Sequence, residues 1–268
     1  MTLRIHGLMY HDVLSATHSP SGRSGSGPDR YKLSWSLFLE HLERIEGAVA
    51  AAPIAVEHFG EATPPQSWAL TFDDGGASAL EVGEELARRG WRAYFFVTTG
   101  LVGTGGFVDA EAIRAVRGLG HVVGSHSVTH PDRMAALSAS ELDREWRGSV
   151  EALSDILGEE VRSASVPGGH YRRPVALAAA RAGIATLFTS EPVRTARRVG
   201  SCLVLGRYSI RADTSAEVAA HVAAGHDGPW LRQYVAWNLK KPAKMLAAEP
   251  YDVIRRTVLA RSAASSRD

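Results

Sequence analysis

Two short segments carry most of the side chains that could do chemistry. Leu70-Thr71-Phe72-Asp73-Asp74-Gly75 presents adjacent carboxylates, and Ser125-His126-Ser127-Val128-Thr129-His130 presents a His-x-x-x-His pair. Taken alone, Asp-Asp-Gly is an ordinary turn, and spaced histidines are commonly solvated or capping residues. Together, each behind an apolar strand-like run, they can hold one divalent metal and leave one acid free. Neutral imidazoles and a carboxylate suit a zinc-like ion, and three protein ligands leave a position for water. A bound cation acidifies that water and a nearby carboxylate can take its proton, so the set reads as a metal-dependent hydrolase site. Histidines at i and i+4 share a face if the turn after the strand is helical. Adjacent aspartates point to opposite sides of an extended strand, so one of them ligates only if the strand bends. Gly75-Gly76 permits that bend.

These residues need strands that end together. Residues 5–10, 68–73, 91–98, 121–125, 162–166, 185–189 and 202–210 read as strands. Residues 35–49, 77–89, 109–118, 139–157, 173–182, 215–224, 230–241 and 251–262 read as helices. Gly90, Gly120 and Gly225 stand where helices should stop, and Ser138-Ala139-Ser140-Glu141 and Thr214-Ser215-Ala216-Glu217 read as capping boxes. Such alternation predicts an α/β fold with a largely parallel sheet, closed or nearly closed, in a single domain over 1–268. Residues 14–30, rich in Ser, Gly and Pro after the first strand, read as a mobile active-site loop or as a surface insertion. The glycine-rich stretch 100–107 lacks the spacing and lysine of a phosphate loop.

The order and spacing of these segments carry a resemblance. Thr71-Phe72-Asp73-Asp74-Gly75 followed by Ser125-His126-Ser127-Val128-Thr129-His130 resembles the first two motifs of the polysaccharide deacetylase (NodB-homology) family. The opening Leu8-Met9-Tyr10-His11-Asp12-Val13 is similar to the first strand of many members, and Tyr31-Lys32-Leu33 leading into Phe38-Leu39-Glu40-His41-Leu42 also fits. The resemblance implies a distorted (β/α) barrel of about seven strands. It implies Asp73 as catalytic base and Asp74, His126 and His130 as ligands of one divalent metal, zinc or else cobalt, nickel, manganese or iron. It implies removal of the acetyl group from an N-acetylated sugar.

The chain departs from the family pattern twice. Ser165-Val166-Pro167-Gly168-Gly169-His170-Tyr171 occupies the third motif, with serine where an arginine orients the base. Leu203-Val204-Leu205-Gly206-Arg207 matches the late motif, with arginine in place of the histidine that serves as general acid. Arginine stays protonated and cannot deliver that proton. Arg207 is therefore expected to take over the lost arginine's duty, pairing with Asp73. His11, His170 and His226 are the histidines expected at strand ends or loops for the acid role, His170 first and His226 last. A raised pKa is expected for His11 from its neighbour Asp12. Tyr10, Gly168, Gly169 and Tyr171 are expected to bind substrate.

Composition narrows the class. At 268 residues, 45% hydrophobic and 22% charged, the chain is globular with a sizeable core. A net charge of +1 gives no electrostatic case for nucleic acid. The single cysteine, Cys202, sits in an apolar run and reads as a buried side chain. No basic-plus-apolar leader and no membrane-length apolar run are visible, which leads to the expectation of a cytoplasmic enzyme without a membrane span. Its substrate would then be a nucleotide-linked, lipid-linked or small glycoside. Trp230, Leu231, Tyr234, Val235 and Trp237 with Arg232, Lys240, Lys241 and Lys244 form an aromatic and basic helix that packs on the barrel, or docks on a partner or an anionic membrane. Two other functions fit the same residues: hydrolysis of a different amide, and metal or sugar binding without catalysis. The sugar, the native metal and the oligomeric state are not legible.

Overall fold

In a strand, alternate side chains face opposite ways, so Ala69, Thr71 and Asp73 share one face while Leu70 and Phe72 share the other. A computed structural model describes residues 3–14, 21–25, 27–55, 59, 63–64 and 66–246 and shows what each face meets. The elements run β1 (Arg4–Tyr10), β2 (Asp12–Leu14), β3 (Lys32–Ser34), α1 (Trp35–Glu46), β4 (Gln66–Phe72), α2 (Ala79–Arg88), β5 (Tyr94–Val97), α3 (Ala110–Gly118) and β6 (Val122–Ser125). They continue with α4 (Ala139–Leu157), β7 (Ser163–Ser165), α5 (Arg173–Arg181), β8 (Thr186–Phe188), β9 (Arg197–Val199), β10 (Cys202–Leu205), β11 (Arg207–Ser209), α6 (Ala216–Ala223) and α7 (Asp227–Leu246).

The strand order is β11-β1-β4-β5-β6-β7-β8-β10-β9, parallel throughout except for β9 against β10. β10 and β11 are consecutive in the chain, separated by Gly206 alone, yet β10 pairs with β8 and β11 with β1. One broken strand therefore closes the sheet, and its two halves count as one stave of a barrel. Gly206 sits at the break because a Cβ there would strike the backbone carbonyls of Glu191 and Val193. This is the expected α/β barrel, with the expected strand 202–210 divided at that corner.

Ile5, Ala69, Tyr94, Phe96, Val122, Phe188 and Leu205 fill the barrel interior. Leu8, Tyr10, Leu70, Phe72 and Phe95 face outward against Phe38, Leu42 and Ile45 of α1 and Val82 and Leu86 of α2. Ala164, Leu187 and Val204 face α4 and α5, packing with Trp146, Val175, Ala178 and Ala179. The apolar plug closes the interior, so the polar inward residues lie toward the strands' C-terminal ends. That is the end where barrels build their sites.

Several local expectations shift. The Ser138–Glu141 capping box forms with both reciprocal bonds, whereas α6 is capped one residue later than expected, by Ser215 accepting from Val218 N. Glu217 pairs instead with His221. α7 continues past residue 241 through Pro242 to Leu246. β2, β3 and β9 are short pairings without a long apolar run to announce them. The helix expected over 251–262 lies outside the described residues, as do residues 15–20 and 26 of the expected loop.

Candidate active site and metal centre

Asp73, Asp74, His126 and His130 arrive at the mouth from the ends of β4 and β6. The bend that turns both carboxylates inward falls on Asp74 itself, at φ 76°, and on Gly75, at φ 78°. A non-glycine residue in the left-handed region is costly and marks a site that the surroundings over-determine. Ser127 and His130 share this conformation, at φ 66° and 54°. The segment after β6 thus turns through left-handed residues, so the two histidines converge without the helical turn on which a shared face was made conditional. Ser127 Oγ accepts from His130 N at 3.1 Å, and Glu145 of α4 accepts from Val128 N and Thr129 N at 2.9 Å each and from Thr129 Oγ1 at 2.6 Å. Glu145 braces the histidine turn, and nothing in the local sequence signals that role.

Asp74 Oδ1 lies 3.3 Å from His126 Nε2 and 3.2 Å from His130 Nε2, and the three ligand atoms fall within 4.8 Å of one another. His126 Nδ1 donates to the Ser165 carbonyl at 3.1 Å and to Ser165 Oγ at 2.5 Å. A carbonyl only accepts, so the proton sits on Nδ1 and Nε2 turns a lone pair toward Asp74. Asp74 Oδ1 is buried and makes no hydrogen bond of acceptable geometry. Two lone pairs facing at this distance repel unless a cation lies between them, and an N2O donor set suits a zinc-like ion. The residues fit a divalent metal.

Arg23 is the exception to that fit. Its guanidinium rests against His130 Nδ1 and lies 3.9 Å from Asp132. A guanidinium only donates, whereas ligation through Nε2 puts the proton on Nδ1.

Asp73 is held differently. Arg207 Nη1 donates to Asp73 Oδ1 at 2.7 Å and Nη2 to Oδ2 at 2.8 Å, a bidentate pair with the two side chains 0% and 3% exposed. Arg207 also donates to Thr71 Oγ1 at 2.9 Å and to the Thr189 carbonyl at 3.2 Å. Gly7 on the neighbouring strand leaves room for it, since a Cβ there would stand 3.0 Å from Arg207 Cγ. Ser165 Oγ donates to Asp73 Oδ1 at 3.2 Å, so one hydroxyl joins the His126 ring to the other carboxylate. Burial would raise the Asp73 carboxyl, but the Arg207 charge and its hydrogen bonds hold it below its ordinary value. Sequence reasoning treated Ser165 only as a missing arginine and overlooked this bridge.

The mouth opens into a cavity of about 250 Å³ whose wall includes Met9, His11, Tyr31, Gly168, Gly169 and Trp237. From the expected loop, Arg23 and Pro28 also reach the wall, while Ser21 Oγ donates to Asp12 at 2.8 Å.

Four expected residues are not among those lining the cavity: Tyr10, His170, Tyr171 and His226. Tyr10 is fully buried among Phe38 and Phe72, its hydroxyl 3.1 Å from His41 Nδ1, because Met9 takes the inward position and Tyr10 the outward one. Neither His170 nor Tyr171 is among the residues lining the cavity, whose third-motif wall ends at Gly169. Tyr171 instead lies under Arg197, 4.7 Å from the guanidinium carbon. The positive φ of Gly168 and Gly169, 65° and 68°, turns the chain away there. His226 stacks on His221 beside α6, away from the mouth. His11 does reach the wall, stacked on Tyr31 at 4.5 Å, but Asp12 turns the other way, to Ser21 and Ser78. Burial, not a carboxylate neighbour, dominates His11 and pushes its pKa down rather than up.

A closed parallel barrel with an Asp-His-His cluster and a second, arginine-clamped aspartate at its mouth defines a NodB-type (β/α) barrel. Residues 60–187, the segment carrying both motifs, match the family model described as polysaccharide deacetylase. Similar folds include the Streptococcus pyogenes deacetylase PplD in complex with acetate, 20% identical over 83% of this chain and 99% of that one, at a TM-score of 0.68. A Bacillus cereus polysaccharide deacetylase is 19% identical over 82% of this chain and 69% of that one, at 0.66. IcaB from Ammonifex degensii is 21% identical over 82% of this chain and 97% of that one, at 0.66. A gellan lyase from a Bacillus species is 30% identical over 111 residues, which is 41% of this chain and 4% of that protein's length. The stretch matched in that curated relative is thus a small part of a much longer protein.

Proposed function

We propose that this chain is a metal-dependent hydrolase that removes the acetyl group from an N-acetylated sugar. The observation that carries the reading is the division of labour between adjacent carboxylates: Asp74 faces two imidazole nitrogens, while Asp73 is clamped by Arg207. Asp74, His126 and His130 would hold the cation, zinc first by donor chemistry. A divalent ion there supplies Lewis acidity, polarising a carbonyl and acidifying water.

Asp73 takes the proton from the attacking water, whose oxygen bonds to the acetamide carbon. Arg207 fixes the plane of the carboxylate and keeps it ionised. The C–N bond then breaks, the amine nitrogen takes a proton, and acetate and an amino sugar leave. Arg207 cannot give that proton and His170 is off the wall. His11 is on the wall but held neutral by burial. Asp73 is the group left to return the proton it has taken, acting as base and then as acid. Tyr31 and Trp237 give the cavity aromatic faces against which a sugar ring can pack. A cytoplasmic location, with a small or carrier-linked saccharide as substrate, completes the proposal. Mass spectrometry of N-acetyl sugars incubated with metal-loaded protein tests it: acetate with the matching amino sugar is expected. Turnover of other amides with every sugar untouched would replace it.

A further inference from the structure

α7 has two faces with different fates. On the inner one, Trp230 is buried, Gln233 exchanges bonds of 2.8 and 3.0 Å with the backbone of Ser209, and Trp237 lines the cavity. On the outer one, Leu231, Tyr234, Val235 and Leu239 are 63%, 46%, 46% and 72% exposed. Their spacing of i, i+3, i+4 and i+8 makes a continuous stripe along the helix. Among the described residues the only other exposed large apolar side chains are Leu14 and Leu119. A contiguous patch of this kind marks an interaction surface.

Charge selects the occupant. Between Gly228 and Leu246 the chain carries Arg232, Lys240, Lys241 and Lys244 and no Asp or Glu. A second copy of the same helix would set one basic stretch against another with no acidic residue between Gly228 and Leu246 to pair with it. Residues 247–268 do not complement it either, having Arg255, Arg256, Arg261 and Arg267 against Glu249, Asp252 and Asp268. An anionic lipid surface satisfies both features, accepting apolar side chains below its headgroups and basic ones among them. We infer that the outer face of α7 docks on an anionic bilayer. Among the described residues no helix is long and apolar enough to cross a membrane, so the helix lies on the surface. Trp237 on the opposite face would then set the cavity beside the headgroups.

Co-sedimentation of the full chain with vesicles tests this without any turnover, so its outcome is independent of the hydrolase reading. Phosphatidylcholine vesicles containing phosphatidylglycerol should pellet the protein, and pure phosphatidylcholine should not. Raising salt should release it. The Leu231→Asp/Leu239→Asp variant should stay in the supernatant with an unchanged circular dichroism spectrum. Arg232→Glu should bind about tenfold more weakly, and it carries the test if the double variant misfolds. Equal binding to both vesicle types, binding to neither, or full binding by Arg232→Glu would overturn the inference. So would a concentration-dependent dimer abolished by the double variant, or a Leu239→Cys thiol shielded from a maleimide in lipid-free monomer. The last two results would assign the face to a second copy and to the chain's own C-terminal residues, respectively.

Discussion

The two sides of the cavity mouth are built to different standards. On one side Asp73 is gripped by Arg207 and Ser165, and Arg207 is itself fixed by Thr71 and the Thr189 carbonyl. On the other side His11 stacks on Tyr31 with a buried Nδ1 that makes no hydrogen bond. On the side of the proposed base the positive charge comes from Arg207 at the start of β11, while Ser165 stands where the resemblance expects an arginine. Arginine stands where the resemblance expects the acid histidine, which leaves the return of the proton to Asp73 in the proposed mechanism. A charge can be supplied from any direction that reaches the carboxylate, whereas a proton donor must occupy one position over the leaving nitrogen.

This asymmetry orders the expected effects. Asp73→Asn should lower the rate by roughly two to four orders of magnitude with the fold intact, read by steady-state kinetics and circular dichroism. Arg207→Met should cost about 3–5 kcal/mol of stability, because it strands a buried carboxylate, and a denaturant titration would show it. Arg207→Lys should recover only part, since an ammonium cannot match both oxygens. Ser165→Ala should weaken metal affinity by roughly ten- to a hundredfold, measured by chelator competition, through looser control of the His126 ring. His11→Ala should change turnover only a few-fold; a much larger loss would restore His11 as the acid.

The smallest effect concerns pH. Burial pushes the pKa values of His6, His11, His41 and His121 down. The unfolded chain takes up protons near the ordinary imidazole value while the folded chain stays neutral. Stability should therefore be full above about pH 6.5 and fall as pH drops from there toward the lowered folded values. Urea midpoints measured across that range check the sign.

The barrel was legible because most of its staves are apolar runs separated by helices with clear stops. Its closure was not, since the β10–β11 corner depends on which carbonyls crowd Gly206. The gathering of Asp73, Asp74, His126 and His130 at the strand ends was legible as residue types in order after strands. Their bends were only half legible: the glycines were visible, but the left-handed turns fall on Asp74, Ser127 and His130 themselves. Tyr10 was misread because strand register decides which of two neighbours faces the cavity. Ser165 and Glu145 act through partners distant in sequence, so their roles emerge only in three dimensions.

The most direct test of the central claim is metal content, measured side by side in Asp73→Asn and Asp74→Asn after loading and desalting. The proposed division of labour predicts that Asp73→Asn retains one metal per chain while losing turnover, and that Asp74→Asn loses the metal. Equal metal loss in both variants, or full retention in Asp74→Asn, would contradict it.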